Sequence, residues 1–374
     1  MSRAHQADDA GMTPSAIPGS VHIIGSGLIG TSLGLALARA GIDVTLADLD
    51  ETHLAQAIEL GAGRRRSPAD DPPFLVVAAT PPGRVGMVLA EAAATWENST
   101  LTHVGSVQSA TLTDAIARGV PRQRLVGGHP MAGREISGPS GARADLFDDR
   151  VWVICPTDDG DPDRVEQVVS MARSCGSTVV RMDPEAHDAA VAVISHTPQV
   201  LASALAGRLV DVDDTVVELS GQGLRDMTRI AASDSALWAE ILELNAATVA
   251  NVLGEVISDL DRIAGALRSA VREGDDGQTV DELLRRGVDG QARIPGKHGG
   301  RGGDYEIVSV MVKDEPGELA SLFVAAGALG VNLEDVRIEH VLGRPSGLID
   351  LSVRPQVAEL LREGLMRQGF DVRG

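Results

Sequence analysis

The chain has 374 residues, more than one domain usually needs, with 43% hydrophobic and 23% charged residues, so two or three globular domains are expected. Acidic residues outnumber basic ones 53 to 33, giving a formal charge of −20. That balance argues against nucleic acid or an anionic membrane as the main partner, and an anionic small substrate would need a local cluster of Arg or Lys. Only Cys155 and Cys175 are present, in no metal or redox spacing, so neither a disulfide framework nor a zinc site is implied, as in a reducing cytoplasm. No uninterrupted apolar run reaches the roughly 20 residues needed to span a bilayer. The most apolar stretch, 189–210, carries His196, Pro198, Gln199 and Arg208 and reads as a buried helix. Residues 1–19 read as a disordered leader without a signal-peptide core.

In chain order, strands are expected at 21–24, 44–47, 74–78, 101–104, 151–155 and 178–181. Helical segments alternate with them around 31–40, 52–60, 84–96 and 163–174. This α/β alternation predicts a Rossmann-type, doubly wound, mostly parallel sheet over residues 20–183. From Pro184 the pattern turns to long helical periodicity, with helices over 185–210, 235–267 and 280–286, so 184–292 reads as an all-α domain. Residues 293–303, rich in glycine with Lys297, His298 and Arg301, read as a flexible linker. Over 304–374 the order is β-α-β-β-α-β, the ferredoxin-like α+β arrangement.

Gly25-x-Gly27-x-x-Gly30 follows the first strand and opens a helix, and Asp48 ends the second strand 18 residues on. That context points to a dinucleotide. Gly25 permits the tight turn, Gly27 lets the backbone approach the pyrophosphate, and Gly30 lets helix and strand pack closely. The backbone around Leu28 and Ile29 contributes N–H donors at the helix start. Asp48 accepts from the ribose hydroxyls and repels a 2′-phosphate, which favours NAD over NADP. The run Arg64-Arg65-Arg66 is either solvated loop surface or a cation that folds back towards the ribose.

Gly128-His129-Pro130-Met131-Ala132-Gly133 places a histidine on an expected turn, fit for chemistry or for a structural role. Ser106, after the fourth strand, either faces the crevice at the carboxyl end of the sheet or caps the following helix. In Ser220-Gly-Gln222-Gly-Leu-Arg225-Asp226-Met-Thr228-Arg229, the arginines hold a carboxylate, or Asp226 and Arg229 form an i,i+3 ion pair.

Taken together, these segments resemble the prephenate dehydrogenase family of tyrosine biosynthesis, including its arogenate-using relatives. The resemblance is carried by Gly25–Gly30, Thr80-Pro81-Pro82, Gly105-Ser106-Val107 and His129-Pro-Met-Ala-Gly133. It continues through Ser195-His196-x-Pro198 and Gly223-Leu-Arg-Asp226-x-Thr228-Arg229, followed by Trp238. The tail resembles an ACT regulatory domain through Asp314-x-Pro316-Gly317-Glu318-Leu319 and Gly330-Val331-Asn332.

The resemblance implies NAD as cofactor, with Thr80 and Pro81 beside it, and an all-α dimerisation domain that pairs two chains. It implies His129 as the catalytic base for the substrate's ring hydroxyl and Ser106 as the residue orienting that hydroxyl. Arg229 then holds a substrate carboxylate, His196 and Asp226 position the substrate, and Trp238 reaches the neighbouring subunit's site. Tyrosine is the expected effector, bound near Asp314, Gly317 and Asn332. His103 departs from a usual aspartate, Gln108 from a lysine, Gln199 from a histidine and Gln222 from a glycine. Gln199 and Gln222 leave prephenate and arogenate both open as substrates. A β-hydroxyacid dehydrogenase would need a catalytic lysine, which residues 184–291 lack. A non-catalytic amino-acid sensor is the alternative of another class, against which His129, Ser106 and Arg229 count.

Overall fold

The computed structural model describes residues 17–133, 136–273, 278–294, 305–340 and 346–373. The expected leader falls largely, and the expected linker almost wholly, outside these described residues. The chain forms two units, Met1–Glu255 and Val256–Gly374.

The first unit is built on eight strands: β1 (Val21–Ile24), β2 (Val44–Ala47), β3 (Arg64–Arg65), β4 (Leu75–Ala78), β5 (Thr100–His103), β6 (Leu125–Pro130), β7 (Val151–Pro156) and β8 (Thr178–Arg181). They lie in the order β3-β2-β1-β4-β5-β6-β7-β8. All neighbours are parallel except β6 and β7. The chain winds outwards from β1 through β2 to β3, then returns to β4 on the other side of β1. That reversal opens a crevice at the carboxyl ends of the strands, where ligands of such sheets bind. β4 is buried along its whole length because helices cover both faces, which favours an unbroken apolar run over alternation. Leu33 and Leu37 of helix Leu28–Arg39 pack with Ile23, Leu46 and Leu75 on one face. Leu89 and Leu112 pack with Val76 and Leu101 on the other.

β6 corrects the sequence reading. The expected apolar run at 125–126 continues to Pro130, so His129 lies on a strand rather than a turn. Two glycines hid the strand, because glycine has low β-propensity. Here the space is used for packing: a Cβ on Gly128 would lie 3.0 Å from the His103 carbonyl and 3.1 Å from Trp152 Nε1. Antiparallel pairing with β7 sets His129 opposite Val153.

The helical part of this unit begins with Pro184–Val191, a π-turn at Ala192–His196 and Thr197–Gly207, one continuous helix over Pro184–Gly207. By length and composition this helix is apolar enough to cross a membrane, with a hydropathy of 1.4. Only 33% of its apolar window is buried by this chain, less than the buried helix the sequence suggested. Short helices follow at Asp214–Val217 and Gln222–Thr228. The single helix expected over 235–267 is instead broken at Asn245 into Ser235–Leu244 and a second helix running Ala246–Glu273, with a 96° bend. The division between the two units falls inside this second helix.

In the second unit, β9 (Glu306–Lys313), β10 (Asp335–His340), β11 (Ser346–Val353) and β12 (Asp371–Arg373) form an antiparallel sheet in the order β10-β11-β9-β12. Helices Glu318–Ala328 and Pro355–Arg367 supply Leu322, Leu361 and Leu365 to a core with Val308, Val310, Ile349 and Leu351. Strict alternation along β11 buries one face and leaves the other half-exposed. The β-α-β-β-α-β order is the one the sequence predicted.

Candidate active site

The glycine loop joins β1 to its helix. Gly25 has φ +108°, and a Cβ there would lie 2.4 Å from the Ala79 carbonyl oxygen. A Cβ on Gly30 would come within 1.9 Å of the Gly25 carbonyl oxygen, so the loop closes only with glycine at that position. Gly27 is different: a Cβ there would meet nothing within 4 Å. Gly25 and Gly30 serve the fold, and Gly27 keeps open space beside the backbone.

The helix has no side-chain cap, and its first backbone bond runs from Thr31 N–H to the Gly27 carbonyl. The N–H groups of Leu28, Ile29 and Gly30 therefore form its open first turn. Asp48, at the end of β2, accepts from the Ser26 N–H at 2.5 Å and from the Asp50 N–H at 2.8 Å. The Ser26 and Thr80 hydroxyls are buried, and neither has a partner among the described residues. Pro81 is exposed and leads into a short turn whose Gly83 N–H donates to Glu240 Oε2 at 3.2 Å. Open space, free N–H donors, orphaned hydroxyls and a carboxylate at the neighbouring strand end together fit a dinucleotide's pyrophosphate and ribose.

The arginine run is occupied elsewhere. Arg64 pairs with Asp70 at 2.7 Å and Asp43 at 3.1 Å, and Arg65 pairs with Glu51. Arg66 donates to the Asp70 and Asp71 carbonyls and lies over Trp96 at 5.3 Å.

At the carboxyl ends of β5 and β6 lies a hydrogen-bonded series. His129 Nδ1 is 2.9 Å from His187 Nε2, and His187 Nδ1 is 2.9 Å from Asp188 Oδ1. Asp188 accepts two further bonds at 2.8 Å, from the Gln108 and Ser109 N–H groups. These bonds hold its carboxyl below the usual range against the opposing effect of burial. A carboxylate only accepts, so His187 Nδ1 carries a hydrogen. With one proton on each ring, the hydrogen between the rings belongs to His129 Nδ1. The lone pair of His129 is then on Nε2, which has no hydrogen-bond partner among the described residues. Burial and the neighbouring His187, His103 and His196 rings hold the His129 pKa down to about 3, so the ring is unprotonated at neutral pH. The three groups bond in series rather than converging on one point, an arrangement suited to a proton rather than a metal ion.

Ser106 is half-buried in the turn that Asp188 clamps. It does not cap the next helix, which starts at Ser109 with no side-chain cap. His103 is fully buried, accepts from the Gly105 N–H at 3.1 Å and is pushed down to about 4 by burial. Gln108 Nε2 donates to the Gly105 carbonyl at 2.7 Å, a neutral role for a position where the resemblance expects lysine.

His196 ends the π-turn, is buried, and stands edge-on to Trp238 at 6.0 Å. Trp238 thus lies against its own chain's histidine. Gln199 is buried one turn on and its amide is 3.4 Å from the Ser203 hydroxyl. Gln222 Nε2 donates to Asp226 Oδ1 at 2.8 Å, so the aspartate's partner is Gln222 and the expected ion pair with Arg229 does not form. Gln222, Asp226 and Arg229 are all exposed, on a segment packed against helix Thr197–Gly207. In the second unit, Gly317 has φ +95° at the start of its helix, Asp314 is exposed, and Asn332 Nδ2 donates to Glu334 Oε1 at 3.1 Å.

Sequence reasoning missed His187, Asp188 and Asn245. A His-Asp pair directly preceding Ala189-Ala190-Val191-Ala192-Val193-Ile194 was the available signal, since such groups enter an apolar helix face only with partners.

Two family descriptions match the chain: "Prephenate dehydrogenase, nucleotide-binding domain" over residues 33–181 and "Prephenate dehydrogenase, dimerization domain" over residues 183–285. The chain is 35% identical over 354 residues to "Probable prephenate dehydrogenase NovF" of Streptomyces niveus, covering 92% of this chain and 97% of that protein. It is 27% identical over 348 residues to the prephenate dehydrogenase of Bacillus subtilis, covering 89% of this chain and 91% of the relative. The crystal structure of the Aquifex aeolicus prephenate dehydrogenase, in complex with hydroxyphenyl propionate and NAD+, aligns with a TM-score of 0.64 at 27% identity. That alignment covers 75% of this chain and 98% of the other.

Proposed function

The chain belongs to the prephenate dehydrogenase family, and from that premise we infer that it oxidatively decarboxylates prephenate to 4-hydroxyphenylpyruvate, with NAD as cofactor, in tyrosine biosynthesis. The observation that carries this reading is the His129–His187–Asp188 series, which leaves an unprotonated, proton-accepting Nε2 at the carboxyl end of the sheet that holds the glycine loop.

When bound, NAD supplies the hydride acceptor; Gly27, the open first turn from Leu28 to Gly30, and Asp48 would hold it. His129 Nε2 takes the proton of the ring hydroxyl as the carbinol carbon is oxidised to the ketone. The imidazolium so formed keeps Nδ1–H on His187 Nε2. Its proton can be shared along the series towards Asp188, which stays ionised. Loss of CO2 then leaves the electron pair in the ring, making it aromatic, and His129 returns its proton to the phenolic oxygen. Ser106 lies in the turn beside this base, suited to orienting the hydroxyl. Arg229 supplies cationic charge for a substrate carboxylate in a chain whose net charge is −20. NADH formation with prephenate, followed together with CO2 release, tests the reading; no NADH with either prephenate or arogenate refutes it.

The enzyme is a homodimer on this reading. Ile194, Val210, Leu219 and Met227 of the helical part are exposed at 64%, 81%, 79% and 59%, and a second copy would cover such a surface. The C-terminal part of the second unit, with strands β9 to β12, is an ACT regulatory domain that binds tyrosine through the loop at Asp314 and Gly317 and through Asn332. The ferredoxin-like sheet order and the positive φ of Gly317 at a helix start support it. Tyrosine titration of the full chain and of Asn332→Ala checks this: unchanged inhibition in the variant rejects the site. Cys155 and Cys175 are both free and buried, in keeping with a reducing cytoplasm.

A further inference from the structure

Asn245 sits at the 96° break between two helices and is buried. Its Nδ2 lies 2.9 Å from the Asp188 main-chain carbonyl oxygen and 3.1 Å from His196 Nδ1. A carbonyl only accepts, so the amide must present its NH2 group there; the reversed amide would set oxygen against oxygen. The second hydrogen of the same NH2 then points at His196 Nδ1, which must be a bare acceptor. The ring hydrogen of a neutral His196 is therefore on Nε2, and Nε2 has no acceptor among the described residues. Burial holds His196 neutral, with a pKa pushed down to about 4. The edge-on Trp238 ring crowds the imidazole, and a ring flip would forfeit the Asn245 bond.

Asp188 is thus a hub for two histidines of opposite character. Its carboxylate, through His187, leaves His129 with an acceptor Nε2; its main-chain carbonyl, through Asn245, leaves His196 with a donor Nε2–H. We propose that Asn245 is a positioning residue that sets substrate class: by fixing His196 as an Nε2–H donor, it favours a 2-oxo-acid side chain over a 2-amino-acid side chain. The proposal rests on the dehydrogenase reading above and deepens it. His196 is tied through Asn245 and Asp188 into the same network as His129, and with the ring hydroxyl taken by His129 its Nε2–H is assigned to the remote end of the substrate. A 2-oxo acid offers only oxygen acceptors there. A 2-amino acid offers an ammonium group, which can only donate and faces another donor. A site built to hydrogen-bond one group leaves its own polar atoms unpaired with the other, the strongest form of discrimination available to a binding site.

The test compares kcat/KM for prephenate and arogenate in the full chain with NAD, for the native protein and for Asn245→Asp. The variant's carboxylate would draw a hydrogen onto His196 Nδ1 and leave Nε2 able to accept. The expected result is a native preference for prephenate of more than ten-fold, reduced at least ten-fold in the variant, mainly through KM. Equal use of both substrates by the native chain, or an unchanged ratio in the variant, overturns the proposal and leaves the dehydrogenase reading standing. NADH from neither substrate overturns both. Should Asn245→Asp fail to fold, nitrogen-15 NMR of the native chain decides: Nε2–H on His196 supports the proposal and Nδ1–H overturns it.

Discussion

Two regions that carry the same family resemblance are built in opposite ways. Around His129, itself half-buried, the His187 and Asp188 side chains are buried and bonded to it in series, so the imidazole holds its tautomer before any substrate arrives. Around Arg229, the side chains are exposed on a seven-residue helix and the turn after it, with Gln222 and Asp226 bonded to each other. The contrast teaches that chemistry and recognition place different demands on the same chain. A proton-transfer group profits from a dry, fixed surrounding, where each bond is strengthened. An arginine that is to bind a substrate carboxylate, the role proposed for Arg229, must remain reachable from solvent.

His129→Asn should produce the largest effect, lowering kcat by about 10²–10⁴-fold, the usual worth of a positioned base. NAD binding, measured by fluorescence titration, should be unchanged. A variant with native kcat would collapse the distinction between the two regions. Arg229→Ala should act on KM, since a charge-assisted contact of roughly 1.5–3 kcal/mol corresponds to about a 10- to 150-fold change. Its melting temperature should stay near native because the side chain is exposed; a loss of stability with KM intact would make the arginine structural.

Gly27→Ala sharpens the comparison within the cofactor loop. The added Cβ meets no protein atom within 4 Å, so folding should be retained. KM for NAD should rise roughly ten-fold, within an overpacking cost of about 1–3 kcal/mol. Gly30→Ala, whose Cβ would press on the Gly25 carbonyl at 1.9 Å, should instead lower the yield of folded protein. Equal behaviour of the two variants would refute the division of roles.

The smallest effect is on stability against acid. Burial holds His22, His103 and His196 down to about 4 and His129 to about 3, from an unfolded value of 6.5. Between pH 6.5 and about 4 the unfolded chain therefore binds more protons than the folded one. The stabilisation is fully present above pH 6.5 and is lost as pH falls towards 4. Thermal melts at pH 7.5 and 5 should show a Tm lower by roughly 5–10 °C at the acid end. A flat Tm would mean that these rings are solvated rather than buried.

Several elements were legible without coordinates, and one physical reason unites them. The glycine loop, Asp48 and the strands around them are local: three glycines, a helix start and a strand end lie within 28 residues, and neighbouring side chains decide each. The order of elements in the C-terminal unit was legible for the same reason, because alternation and helical spacing are short-range signals. β6 was not, because two glycines hid a strand that only pairing with β7 draws straight. Nor was the break at Asn245, which lies inside an apolar period and is set by bonds to Asp188 and His196, 57 and 49 residues away.

The sequence by itself determined most of the sheet around β1 and the cofactor loop, and it singled out His129 as a candidate base. Tertiary structure alone decided the tautomers, by bringing His129, His187, Asp188, Asn245 and His196 from a strand, a long helix and a helix break into one network. A hydrogen position on an imidazole depends on which acceptor lies within 3 Å of each nitrogen. That is a property of packing between distant segments, and no residue carries it alone.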